Sequence, residues 1–296
     1  MVAMRILVVG RTGQVGRELE RLAWPASTHI VHIDRSTCDV TDANRVRQVV
    51  LEAAPDVVVN ATAYTAVDRA EKEPDAAMRT NAEGPAALAR SCAETGAALI
   101  HLSTDYVFDG TKTEAYLEDD AVNPLSVYGR TKLAGERAIR ELLPRHVILR
   151  TSWVFSSHGA NFVRTMLRLG SQRQEIGVVV DQAGAPTSAR DIAEAIAAIT
   201  RAMESREGAW GTFHYTSAGP TTWFGFAQAI FSASRNHAPV TVRPITSAEF
   251  GAPAPRPANS VLDCTRIRKA FGIDQPSWRA ALIDTLAELE MQVTQP

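Results

Sequence analysis

Val8-Val9-Gly10-Arg11-Thr12-Gly13-Gln14-Val15-Gly16 is the segment that decides the fold of this chain of 296 residues. It joins an apolar run, Arg5–Val9, to a stretch with apolar residues at helical spacing, Gln14–Leu22. Glycines spaced G-x-x-G-x-x-G between a strand and a helix are typical of a loop that binds the phosphates of a dinucleotide. The position of the loop, near the N-terminus and before further strand–helix units, strengthens this interpretation.

Each glycine of the loop has a separate role. Gly10 allows a tight turn, Gly13 lets the backbone approach a pyrophosphate, and Gly16 lets the helix pack closely on the strand. The helix N-terminus adds N–H donors and a partial positive charge. The residues predicted to bind the dinucleotide here are Gly10, Gly13, Gln14, Val15 and Gly16.

The first 150 residues alternate short apolar runs with longer helical patterns, which predicts parallel βαβ units. The predicted strands are Arg5–Val9, Ile30–Ile33, Val57–Asn60, Ala98–Leu102 and Val147–Arg150. The predicted helices are Gln14–Leu22, Ala43–Ala53, Pro74–Thr95 and Leu125–Leu142. The fold class is therefore α/β, a doubly wound parallel (Rossmann) sheet with helices on both faces.

The rhythm loosens after Thr151. Phe162–Leu169 and Asp191–Met203 are predicted helices, and Val178–Val180 and Thr212–Tyr215 are short strands. The Pro-rich stretch Ala252–Pro257 should form an extended surface segment. We expect residues 1–150 to form the dinucleotide-binding domain and residues 151–296 to form mainly a smaller C-terminal substrate-binding lobe, with some segments returning to the sheet.

Composition excludes several classes of protein. A net charge of -2 provides no basic field for nucleic acid or an anionic membrane. No apolar run approaches the length of a membrane span, and no signal peptide is evident. The three cysteines are widely spaced, which indicates buried or incidental thiols in a reducing compartment. We expect a cytoplasmic protein of ordinary globular composition.

The end of the second strand bears on the choice of cofactor. Asp34 is placed to bind the adenosine 2′-hydroxyl of NAD, whereas Arg35 would accommodate the 2′-phosphate of NADP, so the two residues leave NADH and NADPH both open. Asp39 and Val40 are able to contact the adenine, although Asp39 has the alternative of capping the next helix.

The segment after the third strand also faces the predicted crevice. It contains Ala63, Tyr64 and Thr65, and open sheets bind ligands outside the carboxyl ends of their strands. We include these three residues in the cofactor site.

A carbonyl reduction by a nicotinamide hydride needs a proton donor close to the carbonyl oxygen. Tyr128 and Lys132 are four residues apart on a predicted helix and so share one face. An ammonium group near a phenol lowers the phenol pKa, and the same lysine is able to bind the nicotinamide ribose. Thr104, after the fourth strand, is placed to bond the substrate oxygen and Tyr128. Thr104, Tyr128 and Lys132 are the predicted catalytic residues.

Seven motifs spread over nearly the whole chain resemble the dTDP-4-dehydrorhamnose reductases, which are extended short-chain dehydrogenases: GRTGQVG, NATAYTAVDRAE, HLSTDYVFDG, NPLSVYGRTKLAGE, LRTSWVF, DQAGAPTSA and RPANSVLD. The resemblance implies reduction of the 4-keto group of dTDP-4-dehydro-L-rhamnose to dTDP-L-rhamnose with NADPH or NADH. It implies that Tyr128 is the proton donor, that Lys132 binds the cofactor ribose and that Thr104 tunes the site.

The same resemblance suggests the residues that contact the nucleotide sugar. Thr104, Asp105 and Trp153 look like sugar-contacting residues, although a Trp at this place has the alternative of packing within the lobe. Val67 touches either the sugar or the core. Arg256 is the candidate for the diphosphate, with a solvated loop arginine as the alternative.

Members of this family are associated with Mg²⁺ held by glutamates between two subunits, which makes a metal conceivable here. Arg190 stands near the position of one such glutamate, while Glu288 and Glu290 remain near the C-terminus. An arginine would repel a cation, so we expect no metal site and leave monomer and homodimer both open. The seven histidines show no zinc-ligand spacing.

Two other functions share parts of this pattern. A nucleotide-sugar epimerase or dehydratase would use the same glycine loop and Tyr–Lys pair, but a dehydratase often has Glu where this chain has Asp105. A noncatalytic relative, the regulatory subunit of methionine adenosyltransferase, keeps the fold to bind a partner. Intact Thr104, Tyr128 and Lys132 favour an enzyme.

Overall fold

The computed structural model describes residues 4–204, 209–234 and 239–294. Its first half alternates strands with helices, as the apolar runs predict. The elements are β1 (Met4–Val9), α1 (Gln14–Arg21), β2 (Thr28–Ile33), α2 (Ala43–Ala53), β3 (Val57–Asn60), α3 (Val67–Ala70), α4 (Pro74–Met78), a π segment (Arg79–Glu83), α5 (Gly84–Thr95), β4 (Ala98–Thr104), a 3₁₀ turn (Asp105–Val107), α6 (Val127–Leu142) and β5 (His146–Thr151).

The second half contains shorter strands and several helices. The elements are β6 (Val154–Phe155), α7 (Phe162–Gly170), β7 (Glu175–Val179), β8 (Ala183–Gly184), β9 (Thr187–Ser188), α8 (Ala189–Glu204), β10 (Gly211–His214), β11 (Thr221–Thr222), α9 (Trp223–Ala233), β12 (Thr241–Ile245), α10 (Ser247–Phe250), α11 (Thr265–Phe271) and α12 (Trp278–Thr294).

Six parallel strands form the main sheet, in the order β10-β5-β4-β3-β1-β2. Its strands are buried on both faces: Ile6 and Val8 pack with α1 and α8, while Leu7 and Val9 pack with α2 and α5. This arrangement confirms the doubly wound α/β fold. The strand order reverses between β1 and β3, so the loops that follow these strands diverge and leave a crevice at their carboxyl ends.

A separate apolar cluster lies outside the sheet and joins α7, α9, α12 and β7, with Phe226 and Trp278 fully buried within it. β12 pairs with β7 in parallel. Two elements of the second half return to the main sheet, since β10 pairs with β5 and α8 packs on α1. The assignment of a cofactor-binding and a substrate-binding domain stays a prediction.

The single helix predicted over Pro74–Thr95 is wrong, because the segment divides into α4, the π segment and α5. Pro85 has no N–H to donate to the carbonyl of Asn81, so a regular α-helix cannot continue through this point. The Asn81 carbonyl oxygen instead approaches α6 at Gly135, where an added Cβ would lie 2.1 Å from it. The break therefore allows close contact between this segment and α6.

Two further expectations need correction. α6 begins at Val127, two residues after the predicted start, because the Ser126 hydroxyl accepts a hydrogen bond from the Gly129 N–H at 3.1 Å and caps the helix. The Pro-rich stretch has no helix or strand, as predicted, but Ala254 and Pro257 are buried. The segment packs against α3, where the Ala254 N–H donates to Asp68.

Two expectations from composition agree with the structure. Cys38, Cys92 and Cys264 are buried free thiols. Among the described residues, the helices are too short or too polar to cross a membrane.

Candidate active site

The glycine loop has the geometry that its spacing predicts. Gly10 has a φ of +104°, which favours glycine, and its N–H donates to the Ile33 carbonyl at 2.9 Å. A Cβ on Gly16 would lie 2.1 Å from the Gly10 carbonyl oxygen, so only glycine fits there. Gly13 is the N-cap of α1. Because glycine has no side chain, the first helical N–H groups have no side-chain cap. These N–H groups point toward the crevice, where a phosphate would be stabilised.

A cleft of about 210 Å³ lies at the reversal of strand order. It is formed by the glycine loop, the segment after β2 and the segment after β3. Its lining residues are Gly10, Thr12, Gly13, Arg35, Cys38, Asp39, Val40, Ala61, Thr62, Ala63 and Thr80. Six residues of the predicted cofactor site thus surround one cavity: Gly10, Gly13, Arg35, Asp39, Val40 and Ala63.

In the segment after β2, Asp34 bonds within its own loop, whereas Arg35 lies at the cleft. One Asp34 oxygen accepts hydrogen bonds from the Ser36 hydroxyl at 2.6 Å and the Ser36 N–H at 2.9 Å, and these bonds lower the pKa of Asp34. Arg35 lies at the cleft, is largely exposed and donates to Asp39 at 2.9 Å. The carboxylate is turned into its own loop, whereas the guanidinium is available at the cavity.

Asp39 does not cap α2, so the capping alternative is wrong. The N-cap of α2 is Asp42, whose side chain accepts from two helical N–H groups. Asp39 accepts instead from the N–H and hydroxyl of Thr41, at 3.0 and 2.9 Å. This turn holds Asp39 and the buried Val40 at the cleft.

α1 is fastened to the second half of the chain at both ends. At its start, the Gln14 side-chain oxygen accepts from Ser156 at 2.9 Å and Asn161 at 3.0 Å. At its end, Arg21 donates to both carboxylate oxygens of Glu288, at 3.2 and 3.3 Å. The Gln14 side chain is therefore occupied by these contacts, and Val15 is buried in the core.

Asn81 is a site residue that the sequence analysis missed. Its side chain accepts from the Tyr64 N–H at 2.8 Å and donates to the Tyr64 carbonyl at 3.2 Å. It also donates to the Thr131 hydroxyl on α6 at 3.1 Å. Asn81 therefore joins the segment after β3 to the helix that carries Tyr128. The signal was an Asn inside a helical pattern, just before Gly84-Pro85.

The rest of the segment after β3 is half-buried or exposed. The Tyr64 hydroxyl donates to Glu73 at 2.8 Å, and Thr65 is exposed. Val67 begins α3 and is half-buried.

The structure brings Thr104 and Tyr128 together. Thr104 ends β4 and Tyr128 lies in the first turn of α6, so that the two side chains lie next to each other. Burial raises the pKa of Tyr128 to about 12, against a lowering by the nearby Thr104 hydroxyl. The phenol is therefore protonated at neutral pH, which is the form that a proton donor needs.

Lys132 does not lower the pKa of Tyr128 in this arrangement, contrary to the expectation for an adjacent ammonium. The Lys132 amine donates to the Leu102 carbonyl at 2.6 Å and lies 3.3 Å from His101 Nε2. Burial lowers the pKa of Lys132 to about 8, although Glu136 acts in the opposite direction. These contacts hold the lysine against β4.

Asp105 has a feature expected of a ligand-binding residue. Its carboxyl accepts from the Thr104 hydroxyl at 3.0 Å, but its second oxygen, also buried, has no hydrogen-bond partner among the described residues. Burial raises the pKa of Asp105 to about 7. A buried oxygen without a partner is costly, so a ligand hydroxyl here would stabilise the site.

Trp153 is held in a strained conformation, with a φ of +48°. Its indole stacks on Trp223, with ring centroids 3.5 Å apart and an angle of 8° between the planes. Gly184 abuts the same indole, since an added Cβ would lie 2.5 Å from it. Packing within the lobe is thus real for one face of the ring. It does not explain why the backbone is strained.

Arg256 is not a solvated loop arginine. Its side chain is only 17% exposed and donates to both oxygens of Asp68 at 3.0 Å each. It also lies near Tyr106, whose ring packs on that of Tyr128 in a T-shaped arrangement with a centroid distance of 5.8 Å. Arg256 therefore lies near the Tyr128 region and is paired with a carboxylate.

The carboxylate cluster at α1 and α12 does not fit a divalent cation. Glu18, His158 and Glu288 offer ligand atoms within 4.8 Å of one another. Arg21 donates to both Glu18 and Glu288, at 3.4 and 3.2 Å, and so already offsets part of the charge of the two carboxylates. The charge of Arg190 also acts on Glu18. A cation here would have to displace a guanidinium.

The sheet, the glycine loop and the Thr104–Tyr128 pair define a nicotinamide-dependent oxidoreductase of the extended short-chain dehydrogenase type. The family model described as RmlD substrate binding domain matches residues 4–291. The chain belongs to the dTDP-4-dehydrorhamnose reductase family. A curated member from Sinorhizobium fredii is 45% identical over 279 residues, which cover 93% of this chain and 94% of the relative.

Two solved structures of the family superpose closely. The reductase from Clostridium acetobutylicum has a TM-score of 0.91 and 38% identity, over 97% of this chain and 100% of that chain. The reductase from Bacillus anthracis, in complex with NADP, has a TM-score of 0.89 and 39% identity, over 96% of this chain and 99% of that chain. The resemblance seen in the sequence motifs is confirmed.

Proposed function

We propose that this protein reduces the 4-keto group of dTDP-4-dehydro-L-rhamnose to dTDP-L-rhamnose, using NADPH or NADH in the cytoplasm as a monomer or homodimer. The observation that carries the proposal is the position of the Tyr128 phenol beside the buried Thr104 hydroxyl at the carboxyl end of β4. Relatives that are 45% identical over nearly the whole chain carry the name dTDP-4-dehydrorhamnose reductase and support the choice of substrate.

The chain's own residues supply the proton. The cofactor, when bound, supplies a hydride to C4 of the sugar. Tyr128 then gives its phenolic proton to the O4 oxygen, and the phenolate recovers a proton from solvent. Thr104 favours this transfer because its hydroxyl, next to the phenol, lowers the pKa of Tyr128. Lys132 binds the nicotinamide ribose, which requires its amine to leave the Leu102 carbonyl.

The substrate contacts follow from the groups around Tyr128. The unpartnered Asp105 oxygen accepts from a sugar hydroxyl. Arg256 binds the diphosphate and exchanges its pairing with Asp68 for phosphate oxygens. Trp153 contacts the sugar with the part of its indole that Trp223 leaves uncovered. Val67 precedes Asp68, the partner of Arg256, on α3.

The predicted cofactor residues occupy the opposite side of Tyr128 along the sheet edge. Gly10, Gly13 and Gly16, with the first N–H groups of α1, support a pyrophosphate. Arg35, Asp39 and Val40 surround the adenosine end, while Ala63 lines the wall after β3. An epimerase or dehydratase is less favoured because relatives at 40–45% identity are reductases, and Asp105 follows Thr104 where a dehydratase often has Glu.

Tyr128→Phe tests the proposal. Purified wild-type protein should consume NADPH or NADH in step with dTDP-L-rhamnose formation. Removing a positioned proton donor should lower kcat about a hundredfold or more. Tyr116→Phe is the matched control, since Tyr116 is also buried but bonds to Asp109. No turnover by the wild type with either cofactor would refute the activity, and near-normal kcat in Tyr128→Phe would refute the assignment of the donor.

A further inference from the structure

A continuous chain of hydrogen bonds runs from the segment after β3 to the catalytic helix. Asn60 ends β3 and lies directly opposite His101 on β4, and both side chains are fully buried. Asn60 Nδ2 is 3.0 Å from His101 Nδ1, and His101 Nε2 is 3.3 Å from the Lys132 amine. His101 thus connects Asn60, at the end of β3, to Lys132 on α6.

The donor and acceptor in each of these hydrogen bonds are determined by Asn60. The Asn60 side-chain oxygen accepts from the Thr62 N–H at 3.0 Å and from the Thr62 hydroxyl at 2.6 Å. Turning the amide over would place its NH₂ group against the Thr62 N–H. The nitrogen of Asn60 therefore points at His101, and it has only hydrogens to offer. His101 Nδ1 must accept, so this nitrogen carries no proton.

The tautomer of His101 determines which protonation state of Lys132 fits next to it. Burial and the nearby Lys132 lower the pKa of His101 well below its usual value, so the ring is neutral. A neutral ring with a bare Nδ1 carries its proton on Nε2, which faces Lys132. An N–H donor is satisfied there only by a neutral amine with a free lone pair. An ammonium group, which has donors alone, would be repelled.

The other charges near Lys132 do not change this conclusion. Glu136 lies one turn further along α6 and acts on Lys132, but it is buried in a two-bond pairing with Arg150 of β5. Asp105, in the 3₁₀ turn, acts on Tyr128. Charged residues of the π segment and α5, which also pack on α6, are exposed: Arg79, Glu83 and Arg90.

We propose that His101 is a positioning residue that stabilises the neutral amine of Lys132 beside β4, so that protonation of the amine breaks the His101 contact and favours movement of Lys132 toward the cofactor. This inference rests on the proposed function in one respect, that Lys132 binds the cofactor ribose. The cofactor then binds to the form of the enzyme in which Lys132 is protonated. With a free-enzyme pKa of about 8, the amine takes up a solvent proton on binding mainly at higher pH.

The sign of the pH dependence follows from this linkage. Cofactor affinity should be nearly constant below the free-enzyme pKa of Lys132 and should fall about tenfold per pH unit above it. In His101→Gln, the side-chain oxygen is able to accept from an ammonium at the place where His101 offers a donor. The lysine pKa should rise, and the fall in affinity should move up by about one pH unit.

The experiment is titration of NADPH binding by fluorescence between pH 6 and roughly 10, without sugar, in three proteins. They are the wild type, His101→Gln, and His146→Gln as a control at a buried histidine of β5 that bonds to Leu143. We expect an upward shift of the break in His101→Gln alone. An unshifted break in a folded His101→Gln protein, as judged by circular dichroism, would overturn the proposal.

A second measurement uses the wild type and so does not depend on folding of a variant. Long-range ¹H–¹⁵N correlation spectra of histidine-labelled protein distinguish the two neutral tautomers from the imidazolium. Detection of the Nε2–H tautomer at His101 supports the proposal, and detection of the Nδ1–H tautomer or the imidazolium overturns it. Both measurements omit the sugar, so absence of turnover would count against the proposed function and not against this inference.

Discussion

The cofactor crevice and the substrate side of Tyr128 are built by different means. Around the crevice, the shape depends on backbone atoms and on glycines, which have no side chain. Gly16 leaves room for the Gly10 carbonyl, and Gly13 leaves the helix N-terminus open. On the substrate side, large side chains from distant segments meet. Arg256 pairs with Asp68 across 188 positions of sequence, and Trp153 stacks on Trp223.

The difference explains what each region is able to change. A backbone crevice recognises the phosphates that dinucleotides share, so a substitution that moves the glycine loop should weaken binding of either cofactor. A site made of side-chain pairs is adjustable, because each pair contributes a limited energy and is able to exchange partners. We expect substitutions in the glycine loop to act on binding of both cofactors, and those on the substrate side to act mainly on KM.

The largest effect is expected for Gly16→Ala. The new Cβ would lie 2.1 Å from the Gly10 carbonyl oxygen, so the glycine loop must move. NADPH affinity should fall about a hundredfold or more, with roughly 2 kcal/mol lost from the free energy of unfolding. Gly13→Ala is the control in the same loop, since its Cβ would be 3.3 Å from the same oxygen. Equal losses of thermal stability in the two variants would contradict the role of close packing.

Arg256→Lys should have the next largest effect. A lysine keeps the charge but loses the planar fork that pairs with two oxygens, so substrate KM should rise roughly tenfold with little change in kcat. Asp68→Asn separates the two roles of the arginine. If Arg256 exchanges Asp68 for the diphosphate, weakening that pair should leave KM unchanged or lower it. A tenfold rise in KM for Asp68→Asn would instead indicate that the ion pair itself shapes the site.

Trp153→Ala should raise KM roughly fivefold, the amount expected for losing one aromatic contact. Trp223→Ala removes the ring on which Trp153 stacks and should raise KM less, because the indole that meets the sugar remains. Steady-state kinetics with circular dichroism measure both effects. Loss of stability without any change in KM would show that Trp153 only packs within the lobe.

Arg35→Ala should have the smallest effect and should act on one cofactor. Arg35 is largely exposed, so solvent screening limits its contribution, and kcat/KM with NADPH should fall roughly threefold. Activity with NADH should not change, because NADH lacks the 2′-phosphate. Asp34→Ala should change activity with either cofactor less than Arg35→Ala changes activity with NADPH, because the Asp34 carboxylate bonds to Ser36 within its own loop. A larger loss with NADH than with NADPH in Arg35→Ala would show that the adenosine end lies differently from our proposal.

The same division separates what could be predicted from sequence. Short apolar runs and helical patterns identified β1 to β5 and most helices, because the sheet is buried on both faces and each pattern is local. The Gly10–Gly16 loop was predictable for the same reason. The break at Asn81 was missed, although Pro85 signalled it, since a short helix pattern continued on both sides.

Side-chain partners were beyond local patterns. Nothing near Lys132 in the sequence indicates that its amine would meet His101, because the contact depends on the pairing of β3 with β4 and on the position of α6. Arg256 was identified by residue type, but its burial and its pairing with Asp68 follow from a loop that returns to α3. The expected effect of Lys132 on the Tyr128 pKa failed for this reason.

The fastening of α1 has a mechanical consequence. The helix is held by Ser156 and Asn161 at Gln14 and by Glu288 at Arg21, so the second half of the chain grips it at both ends. These contacts are about 10 Å apart along the helix axis, at a rise of roughly 1.5 Å per residue. A movement of the second half of the chain would therefore displace α1. The first N–H groups of this helix face the predicted phosphate site, so the cofactor-binding and substrate-binding parts of the site would move together.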